Sequence, residues 1–233
     1  MEDPATVAAV MVEPIGHTGG IIDPPPEYLR ILRDVCDRHN VLLIFDEIIT
    51  GAGRTGHLFA AETFGVTPDV LCTAKGLSGG YAPLSAMICT QRIADTFWGP
   101  IEENPGWGKL LEEYKIPMPS SYFNFNLVAM DVSVDFVVRM GPELVAAHNQ
   151  KLIELLFDRL PKDRFVPASP LDALRRGPYG CFAARSPEKT AEHYQRLRKE
   201  NVAVSLREGN IRVSPHLYNT ERDIDRLISV VTP

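Results

Sequence analysis

Lys75 closes the segment Asp69-Val-Leu-Cys-Thr-Ala-Lys75, which reads as a short buried strand delivering an amine at its C-terminal end. A second apolar strand, Val41-Leu-Leu-Ile-Phe45, runs straight into the acidic pair Asp46-Glu47, and the glycine loop Gly51-Ala-Gly-Arg-Thr-Gly56 lies between the two. Asp46 and Lys75 stand 75 − 46 = 29 residues apart, enough for one crossover between strands. An acid and an amine at adjacent strand ends suit pyridoxal phosphate chemistry. The carboxylate keeps a pyridine ring nitrogen protonated, so that the ring serves as an electron sink. A lysine whose pKa burial has lowered can hold that cofactor as an imine and move protons. Each residue also has a plain structural reading, Asp46 as a loop cap and Lys75 as a solvated strand-end lysine.

The elements that must position these groups alternate strand and helix over the first hundred residues. Residues Val7 to Val12 form a buried-type strand that ends at Glu13-Pro14, as though the text opens inside an α/β domain of a truncated chain. A loop with Gly19-Gly20 and Pro24 to Pro26 leads to a helix from Glu27, with Tyr28, Leu29, Ile31, Leu32, Val35 and Cys36 on one face. Strands at 41–45, 69–74 and around Ala86 to Cys89 follow. Near-continuous apolar strands between helices predict a mostly parallel sheet covered on both faces, with ligands outside the carboxyl ends of its strands. Glu13, Asp46 and Lys75 all fall at such ends.

From Pro100 to Ser121 the text is irregular and rich in Pro, Gly and Glu, which marks a boundary. The reading is therefore a partial large domain over 1–104, an irregular junction over 105–125, and a helical connection with a small α+β domain over 126–233. Helices are expected at 126–139, 142–160 and 187–200, and strands at 180–184, 202–206 and 210–214. Thr220 caps a last helix, with Asp223 at the partner position of a capping box. His148 shares helical spacing with Leu144, Val145, Leu152, Leu155 and Leu156, so it reads as a helix-face residue rather than a ligand.

Composition narrows the function classes. The chain has 233 residues, 45% of them hydrophobic, and a formal charge of −6, which disfavours sequence-independent attraction to nucleic acid or anionic lipid. Cys36, Cys72, Cys89 and Cys181 form no close pair and stand near no histidine at metal-ligand spacing, so neither a disulfide framework nor a zinc site is indicated and a reducing cytoplasm is expected. No run approaches the ~20 apolar residues of a membrane span. Gly51 to Gly56 matches G-x-G-x-x-G, but Asp46 to Thr50 separate it from the strand and no helix opens on it, so nicotinamide binding is disfavoured.

Residues 7 to about 104 resemble the second half of the large domain of class III pyridoxal-phosphate aminotransferases, the omega-aminotransferase group. Glu13-Pro14, Asp46-Glu47, Gly51-x-Gly53-Arg54-Thr55-Gly56, Pro68-Asp69 and Ala74-Lys75-Gly76 carry that family's order and spacing. The resemblance implies a fold-type-I pyridoxal-phosphate transferase, usually a homodimer. It also implies that Asp46 pairs with the pyridine nitrogen, that Lys75 binds the cofactor covalently and shuttles protons, and that Glu13 lies beside the substrate. The implied reaction passes an amino group from an amino donor to a 2-oxo acid.

Past residue 106 the class III text is no longer recognisable. The stretch from Val202 to Leu227 is instead similar to the small domain of class V aminotransferases, with an apparent seam near Pro105 to Trp107. In that likeness Arg212 matches the arginine that grips a substrate carboxylate, against the plain alternative of an ordinary strand arginine. The N-terminal half of the fold, with its phosphate-binding loop and ring-stacking aromatic, is not recognised in the chain. Two alternatives accompany the aminotransferase reading: a noncatalytic remnant or binding partner, and a class V enzyme such as an epimerase. A desulfurase is disfavoured, because none of the four cysteines lies in a recognisable catalytic loop.

Overall fold

The computed structural model describes residues 3–17, 21–22, 24–98 and 120–232. The Gly19-Gly20 pair and the seam at 105–107 lie outside them.

Apolar runs build the first sheet. β1 (Ala9–Val12), β2 (Leu42–Asp46), β3 (Val70–Ala74) and β4 (Ser85–Cys89) lie side by side in that order. The first three are parallel, and β4 runs antiparallel to β3. Helix α1 (Tyr28–His39) makes the crossover between β1 and β2 and ends on Asn40, whose left-handed backbone (φ 54°) turns the chain into β2. Leu29 and Cys36 of α1 pack with Val41, Leu43, Phe45 and Val66 in one core cluster. Of the apolar face expected for α1, Tyr28 and Ile31 remain exposed.

Asp69 fixes the start of β3. Its carboxylate accepts the Leu43 N–H at 2.9 Å and an Arg33 guanidinium N–H at 2.8 Å. These bonds hold its pKa below the ordinary aspartate value against the opposing effect of burial. Two short helices follow the strand ends, α2 (Ala60–Phe64) and α3 (Gln91–Trp98). Neither was foreseen, the first being a single turn hidden between the glycine loop and Gly65.

After α4 (Ser120–Met140) and α5 (Pro142–Arg159) comes a second sheet, entirely antiparallel. Its order is β5 (Phe165–Pro167), β6 (Gly180–Ala184), β8 (Asn210–Val213), β7 (Ser205–Arg207). A short helix α6 (Ala173–Arg176) precedes β6, while α7 (Pro187–Lys199) and α8 (Glu221–Val231) pack against the sheet and α5. Leu152, Leu156, Phe182, Leu197, Ile211 and Leu227 anchor this core. The Thr220 N–H donates to Asp223 Oδ2 at 2.7 Å, completing the capping box at the start of α8.

The strand expected at 202–206 is displaced to 205–207. The Val202 N–H donates to the Leu197 carbonyl at 2.8 Å, so residues 202–204 finish the end of α7 instead of joining the ladder. β5 was also missed, since three residues ending in proline carry too little alternation to read. The helix predicted at 126–139 spans 120–140.

Candidate active site

β2 and β3 pair in parallel, with Phe45 opposite Leu71 and Asp46 opposite Cys72. Asp46 therefore ends its strand beside β3, and Lys75 emerges three residues beyond Cys72. One Asp46 oxygen accepts the Ile48 N–H at 3.0 Å, so the loop-cap reading of this residue is realised without engaging the other oxygen in that bond. Its neighbour Glu47 faces the opposite way and is wholly buried. Glu47 accepts N–H bonds from Ala60 (2.6 Å) and Ala61 (2.8 Å) at the start of α2, and the Thr50 hydroxyl at 3.0 Å. Burial nevertheless pushes its pKa up. The acidic pair thus divides, one member toward Lys75 and one into the fold.

At Lys75 the strand stops abruptly. Its φ of 49° is left-handed, at a cost of about 1–2 kcal/mol for a residue with a side chain, and the chain enters a 3-10 turn over Lys75–Ser78. The glycine loop props this turn: Ala52 is itself left-handed (φ 58°), and a side chain on Gly76 would place its Cβ 2.8 Å from the Ala52 Cβ. From the other side, the Ser133 hydroxyl of α4 donates to the Gly76 carbonyl at 3.2 Å. The loop from Gly51 to Gly56 is therefore a packing element. A Cβ at Gly51 would meet the Glu47 carbonyl at 2.8 Å, and one at Gly53 would meet Val137 at 2.6 Å.

Lys75 is more exposed than the buried lysine expected from the sequence. Partial desolvation of the amine still lowers its pKa, and the positive charges of Arg212 and Arg207 add to this while Asp46 and Glu13 oppose it. The charges acting on Lys75 thus come from both sheets. Glu13 from the end of β1, Asp46 from β2, Lys75 from β3 and Arg212 from β8 converge on one region, so both sheets contribute to it.

Beside these four lies a group that the sequence did not reveal. Glu13 Oε2 accepts the His17 N–H and lies 3.2 Å from His17 Nδ1. His17 is 1% exposed, and burial lowers its pKa to about 4, so it is neutral at pH 7. The His17 ring meets Tyr179 edge-on, with centroids 4.7 Å apart. Tyr179 donates its hydroxyl to the Ile49 carbonyl at 3.0 Å, and Arg54 and Arg212 lie over its ring at 5.0 Å and 5.6 Å. The residue types of this cluster were visible in sequence, but Tyr179 is separated from His17 by the whole junction, and no local spacing signals their meeting.

Cys181, beside Arg212 in the β6–β8 register, is buried, and its thiol is pushed up to about 11. Such a thiol is poorly suited to nucleophilic chemistry. His148 hydrogen-bonds the Asn219 carbonyl at 3.0 Å, in keeping with a helix-face role. Among the described residues there is no cluster of His, Cys, Asp and Glu able to hold a metal ion, and no helix long and apolar enough to cross a membrane.

Known proteins resemble this chain in sequence and in overall fold. The chain is 42% identical over 122 residues to the omega-amino acid–pyruvate aminotransferase of Pseudomonas putida, a match covering 52% of the chain and 25% of that protein. It is 41% identical over 146 residues to the acetylornithine aminotransferase of Vibrio cholerae, covering 61% of the chain and 31% of that protein. Among solved structures, an amine transaminase from an uncultivated Pseudomonas species in its pyridoxal-phosphate-bound form superposes with a TM-score of 0.68 at 30% identity, over 97% of the chain and 51% of the neighbour. The taurine:2-oxoglutarate aminotransferase of Bifidobacterium kashiwanohense, in complex with pyridoxal phosphate and glutamate, superposes with a TM-score of 0.74 at 25% identity, over 98% of the chain and 52% of the neighbour. The chain thus spans about half the length of these solved transaminases, and its fold is a partial fold-type-I transferase domain with a small α+β domain. Residues 2–231 match the aminotransferase class-III family, across the whole of both sheets, and the chain belongs to that family.

Proposed function

We propose that this chain carries the cofactor-facing and substrate-facing residues of a pyridoxal-phosphate-dependent aminotransferase acting between an amino donor and a 2-oxo acid. The observation that carries the reading is the placement of Asp46 and Lys75 at the ends of adjacent parallel strands, with Arg212 brought to the same region from the second sheet. This donor set fits pyridoxal phosphate at two positions, a carboxylate for the ring nitrogen and an amine for the carbonyl carbon. When bound, the cofactor supplies an electron sink for negative charge developing at the substrate carbon.

In this reading Asp46 holds a proton on the ring nitrogen through its negative charge. Lys75, with its pKa lowered, offers a larger neutral fraction than an ordinary lysine and moves the proton to and from the substrate carbon. Arg212 takes the substrate carboxylate in its planar fork, and Glu13 borders the same space, held by His17. The phosphate needs a further set of backbone N–H donors at a helix N-terminus, to which these side chains do not belong.

The small domain is read here as class III as well, which the continuous match through residue 231 supports. A class V origin for residues 107–233 draws on their local text alone. Homodimer formation, implied by the resemblance, gains support from an apolar stripe along α4, where Val132, Phe136 and Met140 are exposed at four-residue intervals. A cytoplasmic location remains the expectation.

The two half-reactions test the function. An amino donor should shift the visible absorbance band of the cofactor-loaded protein, and pyruvate should restore it. A band that forms on adding cofactor but responds to neither would favour a noncatalytic binding role.

A further inference from the structure

We propose that Tyr179 is a positioning residue that sets the plane of the Arg212 guanidinium and so governs how strongly the site binds a carboxylate. The inference rests on the reading of Arg212 as the carboxylate-binding group. Arg212 projects from β8 with its Nε buried and, among the described residues, without a hydrogen-bond partner, so no acceptor fixes the fork from that side. What it does meet is the Tyr179 ring, 5.6 Å from its guanidinium carbon. A guanidinium lying over an aromatic face keeps its outer N–H groups directed along the plane, available to a planar two-oxygen acceptor.

Tyr179 is itself held on several sides. Its hydroxyl is bound to the Ile49 carbonyl, its edge is met by His17, and Arg54 lies over the ring at 5.0 Å. The segment before it is fixed by Gln150, whose amide donates to the carbonyls of Ala173 (3.3 Å) and Gly177 (2.8 Å) and accepts two N–H bonds from the buried Arg176. The ring is 3% exposed and packs with Ile15 and Ile21 of the first domain. A side chain held this firmly can impose an orientation on Arg212, and it ties that orientation to the loop following Asp46.

The test follows the Arg212 Nε–Hε signal of ¹⁵N-labelled protein by NMR during titration with pyruvate, with acetone as the carboxylate-free control. Arg212→Lys identifies the signal by its loss. Wild type should show a saturable shift with pyruvate and none with acetone. Tyr179→Phe, which keeps the ring, should bind pyruvate within twofold of wild type. Tyr179→Met, which keeps apolar bulk without a π face, should weaken binding about three- to tenfold while thermal unfolding still shows a folded chain. Ring-current displacement of the Arg212 side-chain protons in wild type gives a second readout that no variant can confound.

Unchanged affinity in Tyr179→Met, or Arg212 protons without ring-current displacement, would overturn the inference while leaving Arg212 as the carboxylate group. Equal weakening in Tyr179→Phe and Tyr179→Met would also overturn it, pointing to the hydroxyl tie rather than the ring. Pyruvate binding that survives Arg212→Lys, measured calorimetrically, or no binding by wild type, would overturn the reading of Arg212 itself.

Discussion

Ala52 seats its methyl group against the backbone of Gly76, so closely that a side chain at residue 76 would approach it to 2.8 Å. The glycine loop and the turn that presents Lys75 are therefore one packed unit. Gly76→Ala should cost about 1–3 kcal/mol by overpacking, read as a lower urea midpoint with an unchanged slope. It should also slow covalent capture of pyridoxal phosphate by Lys75. An unaltered midpoint would show that the loop does not brace the turn.

Acid should weaken the fold through His17. Its folded pKa of about 4 lies below the ordinary value of 6.5, so the unfolded chain binds the extra proton between those pH values. The stability this neutral, buried imidazole contributes is fully present above about pH 6.5 and is lost as pH falls toward 4, at a slope of up to about 1.4 kcal/mol per pH unit. His216, also lowered to about 4 by burial, acts in the same direction. Urea unfolding of His17→Gln across this range should show a shallower pH dependence than wild type, and an identical dependence would remove His17 as a cause.

Asp69 lies within the text that resembles the family, yet its carboxylate serves the fold. Asp69→Ala leaves the Leu43 N–H without its acceptor and the Arg33 guanidinium with Asp37 alone, and should cost about 1–3 kcal/mol in chemical denaturation. Cofactor capture by the folded variant should match wild type.

Asp46→Asn should do the reverse. The amide preserves shape and the Ile48 N–H contact but carries no charge to hold a ring proton. Equilibrium dialysis should show pyridoxal phosphate binding weakened about tenfold or more, with thermal stability nearly unchanged. Equal affinity would leave Asp46 as a loop cap alone.

Much of this site was legible because its main parts are local. Each of Glu13, Asp46 and Lys75 ends a strand whose apolar text announces it, and parallel pairing then aligns the ends. The role proposed for Arg212 came only through a family likeness, since a lone arginine in a short strand carries no signal of its own. Glu47 was read beside Asp46 as one acidic pair, although strand alternation already sends successive side chains to opposite faces. Tyr179 and His17 escaped notice because their contact depends on how two separately coded domains meet. The exposure of Lys75 differs from the burial expected, since the left-handed turn at the strand end lifts the residue out of the sheet.

Borohydride reduction of the chain in the presence of pyridoxal phosphate, followed by peptide mass mapping, tests the central assignment most directly. The label should fall on the peptide containing Lys75, should exceed that on any other lysine including Lys109 and Lys151, and should vanish in Lys75→Ala while the variant stays folded. Label distributed evenly among lysines, or undiminished in Lys75→Ala, would contradict the placement of the cofactor at the end of β3.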